Sequence, residues 1–341
     1  MGLRRAIDRA GARLLRRLPD GVLAKLAGRP VVVDGRTLDP HVQLSIRAYR
    51  VMRRPPLESL SPEGARAEYL RSLDLMAPDP LKLAAVEDTV AAGVPVRIYT
   101  PRDLPRPAGL LVYLHGGGGV IGDLDASDPP CRILAEAGRV KVISVEYRMG
   151  PEHPFPAALD DAQAVYRWAV DNAEVLGSRP DRVGIGGDSY GGTLSALVAQ
   201  AALTGEVPSP ALALLFYPAT DFTRVGGSRD TFAQGFLLDR TLMDWFADLC
   251  FRDPSDKAGA SPLLAATVAG LCPTALYTAG FDPLRDEGDE YAARLAREGV
   301  AVTHASYSGL VHGYISFTAV VPAAHAAVLD AAAAVRRHLS C

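Results

Sequence analysis

Hydrophobic positions follow two different spacings along the chain, and the change between them divides the sequence. Up to about residue 85 the apolar residues are spaced as on amphipathic helices. One such helix is predicted to begin after Ser61, with Ser61 as its N-cap, Pro62 in the first helical position and Glu63 in the first turn. From about residue 86 onward, short apolar runs alternate with helical patterns. This alternation predicts βαβ units and therefore a mostly parallel sheet covered by helices.

The apolar runs of the second part have the length of strands, and the most apolar of them suit strands buried on both faces. The predicted strands are 96–99, 109–114, 140–145, 182–185, 211–217, 274–278 and 302–307, and the predicted helices lie at about 156–176, 190–204, 284–298 and 323–338. The segment 221–265 interrupts the alternation. We expect it to pack with the helices of residues 1–85 as a cap over the carboxyl ends of the strands, where open α/β sheets bind ligands.

Composition and charge exclude several classes of protein. The 341 residues are 48% hydrophobic and carry a formal net charge of −3, so no general attraction to nucleic acid is expected. No apolar run reaches 18 residues, which predicts no membrane span, and the arginine-interrupted N-terminus lacks a secretory signal, which predicts a cytoplasmic protein. The cysteines are widely spaced and typical of reduced thiols, not of a disulfide framework or a zinc site: Cys131, Cys250, Cys272 and Cys341.

The first 30 residues are strongly basic, with eight Lys or Arg against two Asp, and their apolar positions lie near helical spacing. An amphipathic basic helix of this kind can lie on a membrane surface. It can equally cover another part of the same protein with its arginines in solvent. We favour the second interpretation because short apolar faces of this kind are common.

A nucleophile-elbow pattern is the most informative motif of the chain. Gly187, Asp188, Ser189, Tyr190 and Gly191 follow a strand pattern and precede a helical pattern. In such a Gly-x-Ser-x-Gly turn, the glycines avoid steric clashes and the strained backbone projects the serine hydroxyl above the sheet. Taken alone, the pattern also fits a glycine-rich turn whose serine caps a helix.

A second glycine-rich segment precedes the elbow. His115, Gly116, Gly117 and Gly118 follow the predicted strand 109–114. Acyl transfer develops negative charge on the carbonyl oxygen, and backbone amides held in a tight glycine loop can donate to that oxygen without reorganising. An HGGG loop before a nucleophile elbow is the lipase and esterase form of this device.

The same loop also matches a dinucleotide-binding pattern. Gly117, Gly119 and Gly122 are spaced as G-x-G-x-x-G, and Glu146 ends the next predicted strand, where a ribose-binding acid would lie. In that fold, however, the glycine loop leads directly into a helix. Here the residues after Gly122 delay any helix and His115 would have no role, so we disfavour this alternative.

A serine nucleophile needs a base and a group that orients the base, in the chain order Ser, Asp or Glu, then His. Asp282 is the first acid beyond the predicted strand 274–278, where it could also cap a helix that begins near Pro283. Four histidines follow, and only His312 lies in a loop after a strand pattern. Near pH 7 its neutral imidazole could accept the serine proton.

Together these motifs resemble the hormone-sensitive lipase family of esterases (bacterial family IV carboxylesterases), an α/β-hydrolase group. The matching blocks keep the family's order over about 85–340: HGGG at 115–118, VIGD at 120–123, VEYRMGPEHPFPAA at 145–158, GDSYGG at 187–192, DPLRD at 282–286 and HG at 312–313. The resemblance implies an α/β-hydrolase catalytic domain over 86–341, with 1–85 as a helical N-terminal cap and 221–265 as a second cap segment.

The resemblance also implies the roles of individual residues. Ser189 would be the nucleophile, His312 the base and Asp282 its orienter, with no metal and no cofactor. The other implied residues form or support an oxyanion hole: the amides of Gly117, Gly118 and Tyr190 would donate, while His115, Gly116, Glu152 and Asp188 would support the loop and the elbow.

The implied function is the hydrolysis of short-to-medium-chain acyl esters through an acyl-enzyme. Amide, carbamate or lactone cleavage on the same scaffold and a non-catalytic small-molecule receptor remain alternatives. The resemblance further implies a homodimer through the last strand and helix, which an unpaired edge strand would permit. Two residues depart from the family pattern and are expected to reshape the pocket: Tyr190 replaces a common alanine and could narrow it, whereas Gly119 replaces a larger residue and could widen it.

Overall fold

The computed structural model describes residues 16–76 and 79–340. Most of the predicted basic N-terminal helix lies outside the described residues, apart from the helix Asp20–Ala27. No helix among the residues described is long and apolar enough to cross a membrane.

The strands form a small hairpin and a large sheet. In chain order they are β1 (Val32–Val33), β2 (Arg36–Thr37), β3 (Ala85–Ala91), β4 (Val94–Thr100), β5 (Ala108–Leu114), β6 (Val140–Val145), β7 (Ser178–Asp188), β8 (Ala213–Phe216), β9 (Thr274–Phe281) and β10 (Val302–Val311). β1 pairs with β2. The other eight strands form one sheet in the order β10-β9-β8-β7-β5-β6-β4-β3. β5 to β10 run parallel, whereas β4 is antiparallel to both β3 and β6.

The described helices before the elbow are α1 (Asp20–Ala27), α2 (Pro40–Val51), α3 (Pro62–Met76), α4 (Asp128–Gly138) and α5 (Ala157–Asp171). Those after it are α6 (Tyr190–Ala201), α7 (Ser228–Thr231), α8 (Arg240–Cys250), α9 (Asp256–Gly259), α10 (Arg285–Arg297) and α11 (Pro322–Leu339). As predicted, α3 begins at Pro62, and the Gly64 amide donates to Ser61 Oγ at 3.2 Å. The helix α4 and the strand β3 were not predicted.

Alternate side chains of the central strand β5 feed two cores, one on each face of the sheet. Leu110, Val112 and Leu114 join the core under α5, α6 and α10, whereas Leu111 and Tyr113 join the core under α4 and α11. Every residue of β5 is buried, as expected for a strand covered on both faces. The predicted mostly parallel central sheet covered by helices is therefore confirmed.

The parallel strands end along one edge of the sheet. Leu114 of β5 pairs with Gly187 of β7, and the next residue of β7, Asp188, pairs with Phe216 of β8. Phe281 of β9 pairs with Val311 of β10. The residues that follow these strand ends are consequently brought together although they are far apart in the sequence.

Candidate active site

The serine of the elbow stands at a sharp turn between β7 and α6. Ser189 has φ 54° and ψ −120°, a region that non-glycine residues rarely adopt and that costs roughly 1–3 kcal/mol. A Cβ on Gly187 or Gly191 would collide with the Leu114 carbonyl at the end of β5. The flanking glycines are therefore required by the close approach of a neighbouring strand as well as by the turn itself.

His312 and Asp282 meet Ser189 at this edge. His312 Nε2 lies 2.9 Å from Ser189 Oγ, and His312 Nδ1 lies 2.8 Å from Asp282 Oδ2. A carboxylate can only accept, so Nδ1 carries the proton and Nε2 is left to accept from the serine hydroxyl. Asp282 is fully buried, and its Oδ1 accepts the Leu284 amide at 2.8 Å. The carboxylate thus also holds the turn that leads into α10.

The ring of Tyr217 packs on His312 with 4.7 Å between centroids. Tyr217 follows β8, the strand between β7 and β9, and has φ 35°. Its position at a strand end was available from the sequence, but no motif singled it out.

The glycine loop after β5 is held from below by Asp188. Asp188 Oδ1 accepts the Gly116 amide at 3.0 Å and the Tyr113 hydroxyl at 2.8 Å. Burial raises the pKa of Asp188 to about 6 despite these hydrogen bonds. The Tyr113 hydroxyl, on the preceding strand, is a supporting contact that no sequence motif indicates.

His115 is a buried structural part of the same loop. Its Nδ1 donates to the Gly116 carbonyl at 2.7 Å, and its ring stacks on Tyr147 with 4.3 Å between centroids. The Tyr147 hydroxyl donates to the His115 carbonyl at 2.6 Å. Burial lowers the pKa of His115 to about 4, so the ring is neutral near pH 7.

The loop itself contains consecutive left-handed glycines. Gly117, Gly118 and Gly119 have φ angles of 119°, 63° and 73°, respectively. The amides of Val120 and Ile121 both donate to the Gly117 carbonyl at 3.0 Å, which closes a tight turn. Within the described part of the chain, the Gly117 and Gly118 amides have no backbone acceptor.

The Glu152 carboxylate is connected to the glycine loop through Arg66. It binds Arg66 of α3, with Arg66 Nη2 2.6 Å from Glu152 Oε2. Arg66 in turn donates to the carbonyls of Val120 and Gly150, each at 2.8 Å. The sequence carried no signal for Arg66, because its partners lie 54 to 86 positions away.

The two departures from the family pattern pack against each other. A Cβ on Gly119 would lie 3.0 Å from the Tyr190 ring and 2.8 Å from Cys250 Sγ. Tyr190 is buried, and Cys250 Sγ lies 3.3 Å from its hydroxyl. The Tyr190 ring and Cys250 thus lie against Gly119, which is not among the residues that line the cavity in front of Ser189.

A cavity of about 390 Å³ opens in front of Ser189. Its apolar walls come from both predicted cap segments and include Leu57, Tyr69, Leu73, Met76, Leu237, Leu242, Met243 and Phe246. Its polar lining includes Tyr49, Arg54, Glu58 and Asp239. The Phe246 ring lies so close to Gly118 that any side chain on that glycine would collide with it.

The residues of the alternative dinucleotide-binding pattern lie in a different local structure. After Gly122 the chain turns until α4 begins at Asp128, so the loop lacks the immediate helix of a dinucleotide site. Glu146 accepts the Leu124 amide at 2.8 Å. In the described ranges no three His, Cys, Asp or Glu side chains come together as a metal site would need.

Comparison with known proteins decides the family. A family model described as the α/β-hydrolase fold matches residues 111–316. The chain belongs to the α/β-hydrolase family. It is 39% identical over 332 residues to the carboxylic ester hydrolase LipN of Mycobacterium tuberculosis, covering 92% of this chain and 86% of that protein. It is 35% identical to an ethyl acetate hydrolase of Pseudomonas putida, covering 83% and 92%.

A solved ester hydrolase has the same fold over most of this chain. The ester hydrolase EH1AB1 from the metagenome of Lake Arreo superposes with a TM-score of 0.85 at 37% identity, over 89% of this chain and all of that one. Its structure contains a derivative of bipyridine phosphonate. These relatives confirm the resemblance to the hormone-sensitive lipase-like esterases within the α/β-hydrolase family.

Proposed function

We propose that this α/β-hydrolase cleaves short-to-medium-chain carboxylic esters through an acyl-enzyme, with Ser189 as nucleophile, His312 as base and Asp282 as orienter. The single observation that carries the proposal is the hydrogen-bonded series Asp282–His312–Ser189, with separations of 2.8 and 2.9 Å, at the mouth of a cavity. Relatives named carboxylic ester hydrolase and ethyl acetate hydrolase support the ester as substrate class.

The reaction proceeds in two halves. Ser189 Oγ attacks the ester carbonyl carbon while His312 Nε2 takes the hydroxyl proton, and a tetrahedral oxyanion forms. When the intermediate collapses, the bond from carbon to the alcohol oxygen breaks and His312 returns the proton to the leaving alcohol. Water then attacks the acyl-enzyme in the same way and releases the carboxylic acid and Ser189.

We assign the oxyanion hole to the amides of Gly117, Gly118 and Tyr190. The left-handed glycines allow two successive loop amides to point at one acceptor, and Tyr190 supplies the first amide of α6. Each such donor contributes about 2.7–4 kcal/mol of transition-state stabilisation when it is fixed beforehand. His115, Gly116, Asp188 and, through Arg66, Glu152 support this geometry.

The lining of the cavity supports a proposal for the domain organisation. We propose that residues 1–85 and 221–265 form the cap of a catalytic domain that spans 86–341. Both segments contribute apolar side chains to the cavity. A volume of about 390 Å³ is near the lower end of ligand pockets and favours small acyl groups.

The decisive test replaces the nucleophile. Ser189→Ala should lower the kcat for p-nitrophenyl butyrate by about 10⁴-fold or more, because the triad acts as a unit. The matched control is Ser209→Ala, at an exposed serine outside the site, which should keep wild-type activity. Full turnover by Ser189→Ala would overturn the proposal.

Two further assays separate the alternative functions. Stoichiometric labelling of Ser189 by a fluorophosphonate would argue against a non-catalytic receptor. A panel of matched amides, carbamates, lactones and esters of increasing acyl length would rank substrate classes. Ester turnover that is slower than turnover of one of the other classes would replace the ester assignment.

We also propose a homodimer in a reducing, cytoplasmic environment. β10 is at the edge of the sheet and pairs with β9 on one side, so its other side offers backbone groups to a second copy. Cys131, Cys250 and Cys272 are buried free thiols, which suits a reducing compartment. A monomeric mass by light scattering at micromolar concentration would contradict the dimer.

A further inference from the structure

The cap helix α3 presents one continuous face to the catalytic centre. Arg66, Tyr69, Leu73 and Met76 recur at intervals of three and four residues, which aligns them on one side of a helix. Tyr69, Leu73 and Met76 line the cavity in front of Ser189. Arg66, one turn before Tyr69, lies instead against the glycine loop.

The Arg66 guanidinium joins two loop segments behind the proposed oxyanion hole. Its Nε donates to the Val120 carbonyl at 2.8 Å, and its Nη2 donates to the Gly150 carbonyl at 2.8 Å. The Gly150 amide donates to the Gly119 carbonyl at 2.8 Å. Arg66 therefore closes a ring of hydrogen bonds around the end of the turn that begins at Gly117.

Glu152 orients that guanidinium. Arg66 Nη1 and Nη2 donate to the two carboxylate oxygens of Glu152 at 2.9 and 2.6 Å, a bidentate pair. The hydrogen bond from Arg66 lowers the pKa of the Glu152 carboxyl. The Glu152 side chain is half exposed, so solvent screens part of this interaction. Fixing the planar fork in this way aims the remaining donors at the two carbonyls.

We propose that Arg66 is a positioning residue for the oxyanion loop and that it couples the substrate-binding face of α3 to the catalytic amides. The inference rests on the proposed function, since it takes the Gly117 and Gly118 amides as oxyanion donors. Arg66 is not among the residues that line the cavity. Its hydrogen bonds reach the Val120 carbonyl directly and the Gly119 carbonyl through Gly150, at the far end of the same turn.

The physical reason is the flexibility of the loop. Successive glycines lose more backbone freedom on ordering than other residues, so this turn needs external restraint. Oxyanion donors are effective only when they already lie about 2.7–3.1 Å from the position of the developing charge. Loss of the restraint should therefore weaken binding of the transition state more than binding of the ground state, which lowers kcat while KM changes little.

The experiment compares Arg66→Met, Arg66→Lys and Glu152→Gln in the full-length enzyme with p-nitrophenyl butyrate. Arg66→Met should lower kcat about tenfold or more, short of the 10²–10³-fold loss that removal of a donor itself causes. KM should stay within about twofold, and affinity for a trifluoromethyl ketone should fall in parallel with kcat. Arg66→Lys should recover part of kcat because it keeps one charged donor, and Glu152→Gln should give a smaller loss than Arg66→Met.

Arg71→Gln is the matched control on the same helix. Arg71 also pairs with a carboxylate, Glu68, at 2.8 Å, but its side chain is 55% exposed. Its replacement should leave kcat and ketone affinity unchanged. Thermal unfolding of each variant checks that the cap remains folded, and Arg66→Lys keeps the test valid should Arg66→Met fail to fold.

Two results would overturn the inference. The first is a kcat in Arg66→Met equal to that of the wild type. The second is a higher KM together with a ketone affinity equal to that of the wild type, which would make Arg66 a merely structural part of the cap. Failure of the proposed function gives a different result, because the wild-type enzyme would then not be labelled at Ser189 by a fluorophosphonate. If the wild type is labelled at Ser189 but the Arg66 variants keep the wild-type kcat, only this inference is rejected and the proposed function stands.

Discussion

Replacing Asp282 by Asn tests the proposed triad with the smallest change of shape. The Asp282 carboxylate is fully buried. It accepts one hydrogen bond from His312 Nδ1 and one from the Leu284 amide, each at 2.8 Å. An Asn can still accept from Leu284 through its carbonyl. Its NH2 group then faces His312, which favours the tautomer with the proton on Nε2, directed at the Ser189 hydroxyl. In that tautomer the imidazole cannot take the serine proton.

The expected magnitude follows from this reversal. A wrong tautomer in an otherwise intact triad costs about 10⁴-fold in kcat, or about 5.5 kcal/mol of activation free energy. The complete burial of Asp282 leaves no solvent to compensate for the lost charge. Because the Leu284 hydrogen bond survives, the free energy of unfolding should change far less than the activation free energy does.

The assay measures kcat for p-nitrophenyl butyrate together with urea unfolding. The chain offers a matched control in another Asp–His pair: Asp289 Oδ1 lies 3.1 Å from His304 Nε2 on the partly exposed side of β10. Asp289→Asn should leave kcat unchanged. The reasoning is refuted if Asp282→Asn keeps more than about a tenth of the wild-type kcat while remaining folded.

Two further predictions concern buried carboxylates. Burial raises the pKa of Asp188 to about 6, so the folded state binds this proton more tightly than the unfolded chain, and the resulting stability is present below pH 4 and lost as the pH rises through 6. The loss is at most about 3 kcal/mol, because the side chain also borders the cavity. In urea unfolding between pH 4 and 7, the free energy of unfolding of Asp188→Asn should lack this decline. Parallel pH profiles of the wild type and the variant would contradict the assignment. Arg229→Met should destabilise the fold by about 3 kcal/mol at pH 7, because it leaves the fully buried Glu287 without its cation at 2.8 Å. Arg224→Met, whose partner Glu290 is half exposed, is the control and should cost less than about 1 kcal/mol by the same measurement; equal losses would show that burial of Glu287 does not matter.

Local sterics explain how much of the site was predictable. The elbow requires glycine on both sides of Ser189, and a turn of successive left-handed residues requires glycine at 117 and 118. The positions of these glycines therefore indicate the backbone conformation. The order of Asp282 and His312 after two strand patterns located the other members. The structure brings all three residues together at one edge of the parallel sheet.

Contacts between distant segments were not predictable in the same way. Most residues of the antiparallel strand β3 are exposed or only partly buried, and the strand is held by its pairing with β4. The helix α4, in contrast, has apolar residues at helical spacing and could have been predicted from the sequence. The Tyr190 ring was expected to alter the pocket, but its position over Gly119 depends on Cys250 of α8, 60 residues away. Contacts between side chains that are far apart in the chain produce no regular spacing of residues that a single sequence could show.

The sequence by itself determined the fold class, the elbow serine and the chain order of the catalytic candidates, because these depend on short-range backbone sterics and on the alternation of strands and helices. Only the tertiary structure decided what surrounds them. It brought Arg66 from the cap to the back of the glycine loop, filled the space at Gly119 with Tyr190, and formed the cavity wall from two separate segments. Those contacts are set by how preformed elements pack, and packing is a property of the whole chain.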